Sequence, residues 1–82
     1  MNSSVVCEVC LASTALVRDE IRLGNFSIAV ASAAVQTLCA MLAGKIVDGE
    51  CKFLTSSIKK IATMVADGFN NTEICADLKL CN

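Results

Sequence analysis

Histidine, tryptophan, tyrosine and proline are all absent from this 82-residue sequence. Without histidine, the chain has no side chain that ordinarily changes charge near neutral pH, and it lacks a common catalytic base and metal ligand. No pairing of a nucleophile with a general base stands out among the other residues. We therefore expect a protein that is not an enzyme and that uses no cofactor and no metal.

Charged residues are also scarce, since they make up 18 % of the chain and the formal net charge is −1 at pH 7. Nucleic-acid binding requires clustered lysine and arginine, so the charge balance excludes nucleic acid as a partner. The same balance argues against bulk cationic attraction to membranes. In acid, however, the 8 carboxylates lose their charge. The net charge then becomes positive, which should favour anionic bilayers.

Hydrophobic residues make up 55 % of the chain, which is more than a small core can hide. A chain of this size buries only roughly 60 % of its unfolded surface. The surplus must face lipid, a partner chain or a second copy, unless much of it is alanine, which is often exposed without consequence. We expect residues 1–82 to form a single domain.

The longest uncharged stretch runs from Leu23 to Gly44. It is nearly as long as a membrane span, which needs about 20 apolar residues. Scattered polar residues and Cys39 near its end argue against a plain transmembrane helix. On a helical projection the stretch is apolar almost all round, which predicts burial or lipid contact over much of its surface.

The apolar residues recur at helical spacing along the chain, which predicts an all-α fold. The first helix should begin near Ser3 or Ser4, which are suitable N-caps, and end at Gly24. Its predicted apolar row consists of Val5, Val9, Ala12, Leu16 and Leu23.

Two longer helices should follow the first one. The second helix is predicted from about Phe26 to Leu42, with Asn25 as its N-cap. The third is predicted as one segment from about Lys45 to Asp67, with a bend or late start at Gly49. Its predicted apolar seam consists of Val47, Cys51, Leu54, Ile58, Ile61 and Val65.

The last helix should begin after Asn70, Asn71 and Thr72, which form a good capping cluster. Glu73 then falls in the first turn, where the helix dipole favours a negative charge. Gly68 marks the end of the preceding helix.

The 6 cysteines point to an oxidising compartment and a disulfide framework. About fifteen pairings are possible in principle. If the two ends of the chain run antiparallel, the outermost cysteines pair with each other, the next pair inside them, and the central two remain. This nested order pairs Cys7 with Cys81, Cys10 with Cys75, and Cys39 with Cys51.

Two other uses of the cysteines fit less well. Cys7 and Cys10 have the spacing of half a zinc site, but no histidine is present and the spacing of Cys75 and Cys81 is wide for a zinc knuckle. A thioredoxin-like motif requires a βαβ context, and the sequence shows none.

The cysteines also suggest where the protein works. We expect it to be secreted or to lie in an acidic, lysosome-like vesicle. The N-terminus has no basic region followed by an apolar run, so we expect a mature chain without its signal peptide. Candidate N-glycosylation sites begin at Asn2, Asn25 and Asn70.

The order of the cysteines and the last segment resemble those of the saposin-like family. The order is C-x2-C at Cys7 and Cys10, then Cys39, then Cys51, then C-x5-C, and the segment ICADLKLC ends at Cys81. The resemblance covers nearly the whole chain. It implies four or five amphipathic helices in two leaves, with the nested disulfides. Amoebapores are similar in their near-neutral charge and alanine-rich second helix, and parasite and nematode members exist.

What the resemblance implies is a lipid-binding protein that opens at membranes to bind or perturb phospholipids, favoured in acid. One alternative is an amoebapore-like pore-forming or lytic effector, although the chain lacks the histidine linked to acid activation in amoebapores and the basic excess of lytic members. A second alternative is an accessory factor that docks on a hydrolase. The expected partners are phospholipid membranes or single lipids, and a second copy through the apolar faces.

Three sets of residues should serve this function. The residues expected to meet lipid after opening are Val30, Leu38, Met41, Leu42, Leu54, Ile58 and Ile61. The candidate head-group contacts are Arg22, Lys45, Lys52, Lys59 and Lys60. The candidate hinges are Gly24, Gly44 and Gly68.

Overall fold

A computed structural model of the chain describes residues 4–42, 44 and 48–81. The described residues form helices and turns but no strand, which confirms the predicted all-α fold. Asn2 and Lys45, two of the predicted functional residues, lie outside the described ranges. The helices are α1 (Ser4–Leu23), α2 (Ile28–Met41), α3 (Asp48–Ser56), α4 (Ile58–Ala66) and α5 (Asn71–Asp77).

The helices are arranged in two leaves. The first leaf contains α1, α4 and α5, which contact one another, and the second contains α2 and α3. Two disulfides tie α1 to the C-terminal segment and one ties α2 to α3, in the nested order that the sequence suggests. The three disulfides are Cys7–Cys81, Cys10–Cys75 and Cys39–Cys51.

Among the described residues, one cluster of buried side chains joins the two leaves. Val35 of α2 and Leu54 of α3 belong to the same cluster as Ile61 of α4 and Ile74 of α5, and all of these are fully buried. The Cα radius of gyration is 11.6 Å, close to the roughly 12 Å expected for a folded chain of this length. The leaves are therefore closed on each other.

The prediction of one long third helix is wrong, because the helix is interrupted at Ser57, between α3 and α4. The Ser57 hydroxyl donates to the carbonyl of Phe53 at 2.7 Å. The Ser57 N–H bonds to the carbonyl of Leu54, which lies three residues back rather than four. Serine hydroxyls compete in this way with the helical ladder. Gly49 was predicted to mark a bend or a late start, and the late start agrees with the structure, because α3 begins at Asp48.

The start of α2 also differs from the prediction. Ser27 rather than Asn25 is the N-cap, and its hydroxyl accepts a bond from the N–H of Val30 at 3.1 Å. Asn25 closes the end of α1 instead, with its N–H bonded to the carbonyl of Glu20 at 2.8 Å. Gly24 has a φ of +77°, the left-handed conformation that this type of helix end requires.

The buried side of α1 includes two hydroxyl residues that an apolar pattern misses. Ser13 and Thr14 are both fully buried. Their hydroxyls donate to the carbonyls of Val9 at 2.7 Å and Cys10 at 2.9 Å, which removes the cost of an unpaired polar group. The predicted apolar row of α1 is only partly buried. Val9 is buried, whereas Leu23 at the end of the row is 69 % exposed. The buried residues of α1 are Val6, Val9, Cys10, Ser13, Thr14 and Val17.

Arg18 connects α1 to the turn between α4 and α5. Its guanidinium donates to the carbonyl of Phe69 at 2.7 Å and to the side-chain oxygen of Asn71 at 3.0 and 3.2 Å. Next to this contact, Asn70 and Glu73 form a capping box at the start of α5. The predicted cap of the last helix is therefore confirmed, and the first leaf is held by hydrogen bonds as well as disulfides.

Replacing Arg18 by glutamine should lower the free energy of unfolding by about 1–3 kcal/mol, because charge-assisted bonds to the Phe69 carbonyl and to the partly buried Asn71 are lost. Arg22 is the matched control, since its ion pair with Asp19 at 2.6 Å is largely exposed. Arg22→Gln should cost less than about 1 kcal/mol. Urea unfolding followed by circular dichroism measures both, and equal losses would contradict the role given to Arg18.

Candidate functional site

The outer side of α2 is exposed and uncharged although the leaves are closed. The helix has no charged residue, and its buried residues are Ala31, Val35 and Cys39. Val30 is 54 % exposed and Met41 is 76 % exposed. We call the exposed side of the helix the outer face of α2. It consists of Ala29, Val30, Ala33, Gln36, Thr37, Ala40 and Met41.

The few polar groups on the outer face of α2 do little to oppose its transfer out of water. The Thr37 hydroxyl donates to the carbonyl of Ala33 at 3.0 Å, so its donor is already satisfied. Gln36 is the one other polar side chain on this face. With about 1.5 Å of rise per residue, the helix presents a surface roughly 20 Å long. No charge has to be desolvated when this surface meets an apolar phase.

The prediction that Val30 and Met41 meet lipid only after opening is wrong, because both residues are exposed in the closed form. A helix buries only the side that faces the rest of the fold, and no described helix covers the outer face of α2. Leu38 and Leu42 are half-buried, between the exposed side of α2 and the side that faces the rest of the fold. Three further predicted lipid contacts, Leu54, Ile58 and Ile61, are fully buried. They can meet lipid only if the leaves separate.

Other exposed apolar residues were not predicted as part of a lipid-binding surface. Leu23 and Ile28, on either side of the turn between α1 and α2, are 69 % and 50 % exposed. Phe53 on α3 and Phe69 in the turn after α4 are also exposed. Phe53 lies off the apolar seam of its segment, which is the one sequence signal that could have indicated its exposure.

The predicted head-group contacts divide into paired and unpaired cations. Arg22 is paired with Asp19 at 2.6 Å, and Lys60 with Asp77 at 3.1 Å. Lys52 and Lys59 are exposed and form no ion pair with the residues that the structure describes. These two lysines therefore have their charge available for an anionic partner.

A groove of about 270 Å³ lies between α2 and α3. The hydroxyls of Thr55 and Ser56 donate to carbonyls of their own helix, both at 2.9 Å. The donors that remain for a ligand in the groove are thus the ammonium of Lys52 and the amide of Gln36. The residues that line the groove are Gln36, Cys51, Lys52, Thr55 and Ser56.

Only one of the predicted hinge glycines lies between the leaves. Gly24 joins α1 to α2, whereas Gly44 lies between the two helices of the second leaf and Gly68 within the first leaf. The other junction between the leaves is Ser57, where α3 meets α4. Sequence reasoning missed it because the apolar seam continues across the break.

Two candidate glycosylation residues are exposed. Asn25 lies in the turn between α1 and α2. Asn70 uses its side-chain oxygen to accept the N–H of Glu73 at 2.8 Å in the capping box. Both residues therefore lie at turns, outside the helices themselves.

Within the described ranges, no helix has both the length and the apolar character of a transmembrane span. A scan against protein-family models and searches of curated proteins and solved structures found no match to the chain. Membership of the saposin-like family therefore remains a prediction, based on the order of the cysteines and the last segment.

Proposed function

We propose that the chain is a lipid-binding, membrane-interacting protein of the saposin-like type, which opens at membranes to bind or perturb phospholipids. The outer face of α2 is the observation that carries this proposal, because it is exposed and uncharged in the closed form. Burial of apolar surface contributes about 25 cal/mol per Å². The outer face can gain this free energy at a bilayer before the leaves move.

Opening would follow contact with the membrane. The two leaves separate about Gly24 and Ser57, and the buried residues Leu54, Ile58 and Ile61 then meet acyl chains. Separation exposes the shared core, so it is favourable only when lipid or a second copy replaces the lost contacts. Binding and opening are therefore coupled. One open form is a homodimer, in which the exposed apolar faces of two copies pack together.

The positions of the disulfides support this motion. Cys7–Cys81 and Cys10–Cys75 lie within the first leaf, and Cys39–Cys51 lies within the second. All six cysteines are used in these bonds. Since no disulfide joins one leaf to the other, the leaves can separate without breaking a covalent bond, and each leaf remains held together.

We further propose that the protein is secreted or acts in an acidic vesicle, where loss of carboxylate charge makes it cationic. Flotation with anionic vesicles at neutral and acid pH tests the proposal. We expect binding at both values and stronger binding in acid. Equal or weaker binding in acid would contradict the pH dependence, and no binding at either pH would contradict the function.

Dye release from the same vesicles separates the proposal from its alternative. Binding without leakage is the result expected for a protein that carries or presents lipid. Leakage that rises steeply with protein concentration would indicate an amoebapore-like pore or lytic effector instead. A stable complex with a hydrolase, with no vesicle binding, would indicate an accessory factor.

A further inference from the structure

The groove between α2 and α3 has the features of a small anion site beside an apolar surface. Among the described residues that line it, Lys52 is the one with a charge and none is a carboxylate. The lysine has no ion-pair partner among the described residues. The Gln36 amide on the opposite helix provides a neutral donor. The Lys52 ammonium and the NH2 of the Gln36 amide can both donate, so they suit a ligand that accepts hydrogen bonds and carries negative charge.

The walls of the groove are held at a fixed separation. Cys51 lines the groove and is bonded to Cys39 of α2, with a Cα–Cα distance of 6.2 Å. The side chains of Gln36 and Lys52 are thus attached to two helices that cannot drift apart. A site formed before the ligand arrives loses less conformational entropy on binding.

We propose that this groove binds the phosphate of one anionic lipid head group, with Lys52 as its cation and Gln36 as its neutral donor. Gln36 belongs both to the groove and to the outer face of α2. A lipid whose phosphate lies in the groove can therefore lay its acyl chain along the uncharged surface of the same helix. The choice of a lipid over free phosphate rests on the proposed function.

Titration with dihexanoyl phosphatidic acid below its critical micelle concentration tests the site without a bilayer. Amide chemical shifts of Gln36 and Lys52 should change and saturate. Lys52→Gln and Gln36→Glu should each weaken binding about three- to fivefold, the upper part of the range for an exposed charge contact. Lys79→Gln is the matched control, because it changes net charge by the same amount at an exposed lysine that lies outside the groove and is not a candidate head-group contact. It should change binding less than about twofold.

The outcomes separate the site from the proposed function. Equal effects of Lys52→Gln and Lys79→Gln, or an absence of saturable shifts, would overturn the site even if the protein floats with vesicles. Inorganic phosphate is the second probe, and binding as tight as that of the lipid would overturn the assignment to a lipid head group. Saturable lipid binding at Lys52 with no flotation would support the site and contradict the membrane function.

Discussion

Replacing Val30 and Met41 together by aspartate should weaken binding to anionic vesicles about a hundredfold or more. Burying a valine or methionine side chain contributes about 1.5–3 kcal/mol each, and every 1.4 kcal/mol is about tenfold in affinity. The aspartates also add charges that an apolar phase and an anionic surface both oppose. Flotation or surface plasmon resonance with immobilised vesicles measures the change.

The fold should survive this double substitution, because Val30 and Met41 are 54 % and 76 % exposed. Ala12 and Thr63 provide the matched control, since they are exposed on α1 and α4. Changing both to aspartate adds the same two negative charges away from the outer face of α2. This control should keep most of the affinity. A comparable loss in both variants would mean that net charge, rather than the outer face, controls binding.

Replacing Ile58 by alanine should have the largest effect on stability. Ile58 is fully buried at the start of α4, in the cluster that joins the leaves. Truncation removes apolar contacts and leaves a cavity, which typically costs about 2–5 kcal/mol. This is a large part of the roughly 5–15 kcal/mol by which small domains are stable. Urea unfolding of the disulfide-bonded protein measures the loss, with the exposed Lys59→Ala as control.

The same Ile58 variant also tests the proposed opening. In the open form Ile58 would contact lipid, so truncation removes apolar contact from both the closed and the membrane-bound state. The cavity term, however, exists only in the closed state. The substitution therefore destabilises the closed state more than the membrane-bound state, so vesicle affinity should rise while stability falls. An unchanged affinity, which is the result expected if the leaves stay closed on the membrane, or a loss of affinity would contradict a mechanism in which the leaves separate.

Local features of the sequence were sufficient to predict several parts of the fold. The periodic seam through Leu54, Ile58 and Ile61 predicted a buried helical face, and all three residues are fully buried. Gly24 and Gly68 predicted helix ends, and both have the positive φ that such ends require. These predictions succeed because spacing along one helix and the conformation of one glycine depend little on the rest of the chain.

The candidate site was only partly predictable. The uncharged stretch from Leu23 to Gly44 pointed to α2, but not to the side of the helix that stays exposed. That side depends on where the other helices pack, and α2 is apolar almost all round. Lys52 could be named as a cation from its position on a polar face. Its place in a groove with Gln36 depends on how α3 packs against α2, which the sequence pattern of either helix does not show.

The sequence by itself determined the helical class, most helix ends and, given antiparallel chain ends, the order in which the cysteines pair. Tertiary structure alone decided that Arg18 of α1 binds the turn before α5. It also decided that the leaves can be closed while the outer face of α2 remains uncovered. The physical reason is the same in each case: hydrogen-bond partners and burial depend on which elements meet in space, and periodicity along one helix carries no information about that.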